Sequence, residues 1–259
     1  MKIHQVFTQN ALRNFTYYIE LDNNNLIIID PWDAKEAQAF IESKQLILTT
    51  IINTHEHWDH TQGNQELVDI YDCEVWAHEV GVGRIPAQTR KLKPAEKIRL
   101  DDKTIMEVVD TPGHCQAHLC FIIEHQGKPY CIFTGDILFN AGVGNCHNGG
   151  DVEDLYETIC TKIFTLPDSI IIYPGHDYLE NNVRFTLKYE SSNTQAKLWL
   201  EKYKKSNLDG TPLVTTLEDE KQINTFLRLN NKEIQNSLEV PTNSEKETFI
   251  ALRALRDKW

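Results

Sequence analysis

The sequence predicts an α/β fold, a sandwich of sheets with helices outside, followed by a mostly helical C-terminal subdomain. Short β-branched and aromatic runs recur through the first two-thirds of the chain, and helical patterns lie between them near residues 33, 63 and 153. Interleaved strand and helix patterns are typical of layered α/β architectures. After about residue 178 the pattern becomes charged and helical, so we predict domains at 1–178 and 179–259.

The first elements follow from local patterns. The runs FTYYIEL (15–21) and LIIID (26–30) are separated by DNNN, whose residues favour tight turns, so we predict a hairpin. Asp33 precedes AKEAQAFIESK, whose apolar residues lie three and four positions apart, as in a helix that begins at a capping aspartate. The apolar run TTIIN (49–53) predicts the next buried strand.

Later apolar runs predict further strands, and the tail predicts helices. The predicted strands are CEVWA (73–77), TIMEVVD (104–110), HLCFIIE (118–124), YCIFTGD (130–136) and SIIIYPG (169–175). The segments YLENNVRFTLKYESSNTQAKLWLEKYKK and SEKETFIALRALRDKW have helical periodicity, and a polar segment near 206–212 lies between them.

The composition excludes some classes of partner. The 38 acidic residues outnumber the 26 basic ones, which disfavours nucleic acid and anionic membranes, because both attract positive proteins. We find neither a signal-peptide pattern nor an uncharged stretch of membrane-spanning length. The six cysteines are scattered without a CxxC pair, as in a reducing compartment. We therefore expect a cytoplasmic protein.

The densest group of potential metal ligands is THEHWDH (54–60). His55 and His57 lie two positions apart, so in extended backbone they point to one side and can share an ion. The adjacent Asp59 and His60 can reach a second ion. Clustered acids and imidazoles without a metal would repel or need many partners, so we interpret the motif as a metal site.

Three further ligand-type residues stand at the ends of predicted strands, where scaffolds often present reactive groups. They are His114, Asp136 and His176. Taken singly, His114 or Asp136 is more often a turn residue than a ligand. With THEHWDH as a metal motif, His114 can complete the first site, His176 the second, and Asp136 can bridge them. These nitrogen and oxygen ligands suit zinc, iron or manganese.

The order THxHxDH, PGH, TGD and a late GH resembles the metallo-β-lactamase superfamily, which implies an αββα sandwich with the site along one edge of its two sheets. The elements GHDYLENN (175–182), NTFLR (224–228) and LRALRD (252–257) are similar to those of the glyoxalase II, or hydroxyacylglutathione hydrolase, family. That resemblance implies that the C-terminal helices supply part of a glutathione pocket.

The resemblance also implies a role for each matching residue. The implied ligands are His55, His57 and His114 for the first metal, Asp59, His60 and His176 for the second, and Asp136 between them. Asp59 also orients the attacking hydroxide. Tyr178 binds the peptide part of glutathione, and Arg253 and Arg256 hold its glycine carboxylate. His118 matches a histidine that is not a ligand, and both support of a ligand and a structural role stay open.

One loop departs from the family pattern. Where the family has a GCGKFYEG-like loop, this chain reads GVGNCHNGG (142–150), so Asn145 replaces a lysine and His147 a tyrosine. One cation and one phenol are missing from the expected substrate-binding set. We expect weaker glutathione binding or a different acyl or thiol portion.

The resulting prediction is a metal-dependent thioester hydrolase with two divalent metal ions, zinc before iron or manganese. A metal-bridging hydroxide attacks the carbonyl of S-(2-hydroxyacyl)glutathione, such as S-lactoylglutathione, and releases glutathione and a 2-hydroxy acid. The thiolate needs little help to leave. We expect this small molecule as the partner, with no nucleic acid or membrane, and a monomeric chain.

Three alternatives stay open at this point. A persulfide (sulfur) dioxygenase shares the early motifs but uses one iron held by two histidines and one carboxylate. Another superfamily hydrolase acts on lactones or β-lactams. A non-catalytic metal-binding relative is the third, although all seven ligand positions hold suitable residues.

Overall fold

The computed structural model describes residues 1–209, 212–239 and 241–259 and arranges them in four layers. Two six-stranded sheets face each other, and helices cover the outer face of each, which confirms the predicted αββα sandwich. The strands are β1 (Lys2–Phe7), β2 (Phe15–Glu20), β3 (Asn25–Ile29), β4 (Ile47–Ile52), β5 (Glu74–His78), β6 (Arg90–Leu92), β7 (Lys97–Arg99), β8 (Thr104–Asp110), β9 (Leu119–His125), β10 (Lys128–Gly135), β11 (Leu138–Phe139), β12 (Gly142–Val143), β13 (Ile171–Pro174) and β14 (Thr215–Thr216). The α-helices are α1 (Ala34–Lys44), α2 (Trp58–Thr61), α3 (Asn64–Tyr71), α4 (Val152–Thr158), α5 (Leu179–Tyr189), α6 (Thr194–Asp209), α7 (Leu217–Ile223), α8 (Lys232–Ser237) and α9 (Glu245–Arg256).

The first sheet has the order β1-β2-β3-β4-β5-β6. The predicted hairpin is confirmed, since β2 and β3 pair antiparallel, whereas β3 to β6 pair in parallel. Successive side chains of a strand point to opposite faces of the sheet. In β2, Tyr17 and Ile19 therefore face the second sheet, and Tyr18 between them packs towards α1.

The second sheet has the order β14-β13-β10-β9-β8-β7, with β13 and β10 parallel and the other neighbours antiparallel. Its inner face contributes Phe121 and Phe133 to the core between the sheets. The rings of Tyr17 and Phe133 meet there with centroids 5.1 Å apart. Burial of these large apolar side chains is the main force that holds the two sheets together.

The helix predicted after Asp33 is confirmed. The Asp33 side chain accepts a hydrogen bond from the backbone N–H of Glu36 at 2.9 Å, which caps α1. Ala37 and Ile41 of this helix pack on the outer face of the first sheet. On the other side of the sandwich, α4 begins at the capping residue Asp151 and continues as a π-helix over Ile159–Ile163.

The C-terminal region is mostly helical, as predicted, with two differences. The periodicity after residue 178 is divided between α5 and α6, and the short strand β14 joins the second sheet. In the predicted polar segment, α6 continues to Asp209, and residues 210 and 211 lie outside the described part of the chain. Phe249 and Leu252 of α9 share one apolar cluster with Ile172 of the second sheet, so the tail packs against the sandwich.

Some strands of the described residues were not predicted from the sequence. They are β1, which has six residues, and the shorter β6, β7, β11, β12 and β14, which have two or three residues each. Within the described residues, no helix is both long enough and apolar enough to cross a membrane.

Candidate metal centre and substrate site

The candidate ligands lie where strands end. His55 and His57 follow the parallel strand β4, and the short helix α2 carries Asp59 and His60. The other three follow strands of the second sheet: His114 comes after β8, Asp136 after β10 and His176 after β13. The strands thus bring residues that are distant in sequence to one edge of the sandwich, as the sequence predicted.

The first group of ligands contains His55, His57 and His114, whose ligand atoms lie within 4.8 Å of one another. His57 Nδ1 is 3.1 Å from His55 Nε2 and 2.9 Å from His114 Nε2. The opposite nitrogens of all three rings have other partners. His55 Nδ1 contacts the hydroxyl of Thr54 at 3.0 Å, His114 Nδ1 the carbonyl of Asn145 at 2.6 Å and His57 Nε2 the carbonyl of Asn148 at 3.3 Å. These contacts turn the remaining nitrogens towards one point.

The second group contains Asp59, His60 and His176. His60 Nε2 and His176 Nε2 are 3.2 Å apart, and Asp59 Oδ2 lies 3.3 Å from the first and 3.4 Å from the second. On their far sides, His60 Nδ1 is 2.9 Å from Asp30 Oδ2, and His176 Nδ1 donates to the carbonyl of Leu12 at 2.8 Å. Carboxylate and carbonyl partners of this kind fix the orientation of metal-binding histidines.

Asp136 stands between the two groups. Its Oδ2 lies 3.5 Å from His114 Nε2 and 3.3 Å from His176 Nε2. Its Oδ1 is buried and has no hydrogen-bond partner among the described residues. A buried carboxylate oxygen without a donor is costly, and a cation removes that cost. The orphaned oxygen and the converging lone pairs therefore fit a pair of divalent cations.

A third cluster of ligand-type atoms combines Asp30 with His55 and His60. Asp30 is already satisfied, because it accepts hydrogen bonds from the backbone N–H and the hydroxyl of Thr54 at 2.8 Å and 2.6 Å and also contacts His60. We therefore assign Asp30 to the support of His60. It ends the apolar run LIIID, so the rule that found the other strand-end ligands could have found it.

The electrostatics of the centre set the protonation state in which each ligand meets a metal. Burial, with help from His60, holds the pKa of His55 well below its usual range, which keeps that imidazole neutral. Burial would raise the pKa of Asp136, but His176 and His60 outweigh it and hold the carboxyl pKa well below its usual range. Metal binding requires a neutral imidazole and an ionised carboxylate, so His55 and Asp136 are already in the binding form. His60 differs, because burial would lower its pKa but Asp136 and Asp30 outweigh burial and hold that pKa well above its usual range, so a cation must displace the proton of His60.

His118 is buried and supports a ligand. Its Nδ1 is 2.8 Å from the hydroxyl of Thr111, and its Nε2 accepts a hydrogen bond from the backbone N–H of Asp136 at 3.1 Å. This tautomer agrees with a neutral ring, since burial holds the pKa of His118 well below its usual range. Of the two roles that the sequence left open, the structure favours support of the Asp136 backbone.

Asn14 is a second supporting residue, and the sequence analysis missed it. It is buried in the segment before β2, and its Nδ2 donates to Asp59 Oδ2 at 2.9 Å and to the Asp59 carbonyl at 3.2 Å. It also forms a backbone bridge with His176. No local pattern identifies such a residue, because its partners are 45 and 162 positions away in the chain.

Tyr178 and the altered loop lie beside this centre. The Tyr178 ring stacks on His176 with centroids 4.9 Å apart, and its hydroxyl donates to the Leu12 carbonyl at 3.0 Å. Asn145 places its carbonyl on His114, while its side-chain oxygen accepts from the backbone N–H of His147 at 3.1 Å. The exposed His147 ring lies 3.2 Å from Asp257 Oδ1.

The two arginines of LRALRD have different surroundings. Arg253 is buried and donates to the carbonyls of Val143 and Gly144 at 3.0 Å and 3.1 Å, and to Asp257 Oδ1 at 2.8 Å. Arg256 is only partly buried, and its Nη2 donates to Asn182 Oδ1 at 3.0 Å. Arg253 thus holds the altered loop against α9, and its contact with a substrate carboxylate stays a prediction.

Comparisons with known proteins match both parts of the chain. Residues 10–176 match the family model of the metallo-beta-lactamase superfamily, and residues 177–259 match that of the hydroxyacylglutathione hydrolase C-terminus. The crystal structure of ETHE1 from Myxococcus xanthus has a similar fold, with a TM-score of 0.67 and 22% identity over 99% of this chain and 98% of that one.

Curated relatives are similar over the full length. Hydroxyacylglutathione hydrolases from Polaromonas sp. and Nitrosococcus oceani are 40% and 39% identical, each with 100% of both chains covered. The resemblance found in the sequence motifs is thereby confirmed. The chain belongs to the hydroxyacylglutathione hydrolase family, within the metallo-beta-lactamase superfamily.

Proposed function

We propose that this protein hydrolyses S-(2-hydroxyacyl)glutathione thioesters, S-lactoylglutathione among them, to glutathione and a 2-hydroxy acid. The observation that carries the proposal is the pair of ligand groups joined by Asp136, in a chain whose full-length relatives bear the name of that activity. Two tail residues support it: Tyr178 of GHDYLENN stacks on His176, and Arg256 of LRALRD donates to Asn182 of the same GHDYLENN segment.

The proposed cofactor is a pair of divalent cations, zinc in preference to iron or manganese. One cation would be held by His55, His57 and His114. The other would be held by Asp59, His60 and His176, and Asp136 would contact both cations. When bound, such cations lower the pKa of water and polarise a carbonyl. A thiol has a pKa of about 8.5, so the leaving thiolate departs without a strong general acid.

Within this centre, Asp59 has the task of orienting the attacking water. Its Oδ2 is held by Asn14 and faces His60, whereas its Oδ1 makes no hydrogen bond to the described residues. Burial would raise the pKa of Asp59, but His60 and Asn14 outweigh it and lower that pKa, so the free oxygen stays an acceptor. Asp59 Oδ1 can accept a hydrogen bond from a water molecule and so fix the direction of the lone pair of that water.

For substrate binding we assign Tyr178 to the peptide and Arg256 to the glycine carboxylate. The Tyr178 hydroxyl donates to Leu12, so its lone pairs are left to accept a hydrogen bond from a peptide N–H. We also assign Asn145 and His147 to substrate binding, and Arg253 supports this by bonding to the loop that carries them. Without a lysine in that loop, glutathione is bound by fewer charges from this side.

A persulfide dioxygenase with a single iron is the alternative. It needs two histidines and one carboxylate, whereas here two complete groups of three ligands meet at Asp136, which favours two metals. The test is metal analysis of the purified protein together with assays on S-lactoylglutathione and glutathione persulfide. We expect two metals per chain and thioester hydrolysis. One iron per chain with oxygen consumption on the persulfide would establish the dioxygenase instead.

We further propose that the protein is a cytoplasmic monomer. The net charge of −12 disfavours nucleic acid and anionic membranes as partners. Light scattering on a size-exclusion column should give the mass of a single chain of 30.0 kDa.

A further inference from the structure

A groove beside Tyr178 contains charged side chains to which the proposed reaction assigns no role. It has a volume of about 400 Å³, and its lining includes Tyr178 but neither Arg256 nor any residue of the loop 142–150. Ligand pockets have volumes of roughly 300 to 1,000 Å³. Because Tyr178 stacks on the metal-ligand candidate His176, the groove begins next to the reaction centre and leads away from it.

Two ion pairs form the walls of this groove. On one side Arg13 pairs with the Asp177 carboxylate, donates from Nε to the Asp177 carbonyl at 2.8 Å and contacts the hydroxyl of Tyr203 at 2.9 Å. On the other side, on α5, Arg184 donates from Nε and Nη2 to Glu180 Oε1 at 3.1 Å and 2.7 Å. The groove is therefore neutral overall but strongly polar.

Each pair leaves one donor and one acceptor for a ligand. Within the described residues, Nη1 of Arg13 and Nη1 of Arg184 make no hydrogen bond, and neither do Asp177 Oδ1 and Glu180 Oε2. Two positive donors and two negative acceptors in one groove complement a group that carries both charges. An α-amino acid head, with its ammonium and carboxylate on one carbon, is such a group.

We propose that this groove binds the γ-glutamyl end of glutathione, with its α-carboxylate at Arg13 and Arg184 and its α-ammonium at Asp177 and Glu180. The inference rests on the proposed function. The thiol belongs to the middle residue of the tripeptide, so a thioester placed at the metal ligands directs its two charged ends along different paths. The glycine carboxylate reaches Arg256, and the γ-glutamyl group follows the groove beyond Tyr178.

This second anchor also accounts for the altered loop. The cation that the family loop carries is absent at Asn145. Recognition at the opposite end of the tripeptide restores charged contacts that the loop no longer provides.

The test compares two substrates and three variants. S-lactoylglutathione carries the γ-glutamyl group, whereas S-lactoyl-N-acetylcysteinylglycine lacks it, and its acetyl group prevents migration of the acyl group from sulfur to a free amine. The groove variants are Arg184→Gln and Glu180→Gln. The control is Lys188→Gln, which removes an exposed charge one turn further along α5, outside the groove lining.

We expect Arg184→Gln to raise the KM for S-lactoylglutathione about five-fold, as for the loss of one solvent-exposed charge contact, with kcat unchanged. Glu180→Gln should act in the same direction. Neither should change the KM for the N-acetyl substrate, and Lys188→Gln should change neither KM. Equal effects on both substrates, or no effect on either, overturn the groove assignment while the hydrolase stands. If the wild-type protein does not hydrolyse S-lactoylglutathione, the proposed function falls and the groove assignment falls with it.

Discussion

Asn14 donates a 2.9 Å hydrogen bond to the oxygen of Asp59 that faces His60 and His176. It thereby connects the N-terminal segment to the second group of metal ligands. Arg13 and Leu12 extend this connection, because Arg13 accepts from the backbone N–H of Asp177 and the Leu12 carbonyl accepts from His176. The second group is therefore supported by chain outside THEHWDH, whereas Thr54 and Asn145 support the first.

This arrangement predicts a selective effect of Asn14→Ala on metal binding. Loss of a supporting hydrogen bond typically weakens metal affinity 10- to 100-fold, so we expect roughly that loss at the second site and little change at the first. Metal content measured against a graded series of chelator concentrations gives the two affinities separately. Asn236→Ala, which removes an exposed amide on α8, should bind both metals as the wild type does. An equal loss at both sites in Asn14→Ala would refute the selective role.

The sequence predicted the seven candidate ligands and offered His118 as a possible support, but it missed Asn14 for a physical reason. A ligand stands at a strand end, and apolar runs reveal strand ends, so His114, Asp136 and His176 could be found by pattern. Supports such as Asn14 are chosen by tertiary neighbours. The local sequence around such a residue is that of an ordinary loop, because its partners come close only in the folded chain.

The fold was also predictable only in part. Strongly apolar strands such as β9 and β10 were identified, whereas β6 and β7 have three residues each and lie at sheet edges. A sheet edge needs only one neighbour and tolerates polar residues, so its sequence carries little strand signal. In the helices, Glu220 shows most clearly what a sequence pattern does not predict. A charged residue in a helix is expected to be exposed to solvent, and yet this side chain is buried.

A second prediction separates the two tail arginines. Arg253→Met removes the donors to the Val143 and Gly144 carbonyls and leaves buried acceptors unpaired, so we expect a loss of about 1 to 3 kcal/mol in the free energy of unfolding. Arg256→Met leaves one acceptor, Asn182 Oδ1, without its donor, so it should cost less, about 1 kcal/mol, and should raise the KM for S-lactoylglutathione about ten-fold. Urea unfolding and steady-state kinetics measure the two effects. If Arg253→Met unfolds like the wild type and changes only KM, Arg253 binds substrate and does not hold the loop.

A third prediction concerns Glu220 and pH. It accepts hydrogen bonds from Ala141 N–H and Thr215 Oγ1, each at 2.8 Å, and from Asn224 Nδ2 at 3.0 Å, and the first of these connects α7 to the turn between β11 and β12. Burial outweighs these donors and raises the pKa of Glu220 to about 7. The unfolded value is about 4.3, so between these pH values the folded state holds the extra proton. This group therefore makes stability fall as pH rises from about 4.3 to 7 and adds no further change above that.

Glu220→Gln should remove this pH dependence. We expect the free energy of unfolding of the variant minus that of the wild type to be larger, by up to about 3 kcal/mol, at pH 8 than at pH 4.5, because only the wild type loses stability over this range. Urea midpoints at the two pH values measure the difference. Glu218→Gln, on the exposed side of the same helix, is the control and should follow the wild-type slope. Parallel slopes for wild type and Glu220→Gln would show that Glu220 titrates alike in the folded and unfolded states.

The altered loop provides a prediction of gained affinity. Asn145 contributes its backbone carbonyl to His114, and a substitution keeps that contact, so Asn145→Lys adds a cation without removing the support of a candidate ligand. A positive charge at this position can bind a carboxylate or amide oxygen of the substrate. We expect the KM for S-lactoylglutathione to fall about five-fold with kcat little changed.

The matched control is Asn148→Lys, which places the same charge at an exposed position of the same loop. If both variants lower KM equally, the gain comes from the general positive field, and position 145 has no specific contact with glutathione. If only Asn145→Lys lowers KM, and if high salt weakens this effect less than it weakens an exposed ion pair, the substrate lies against this loop.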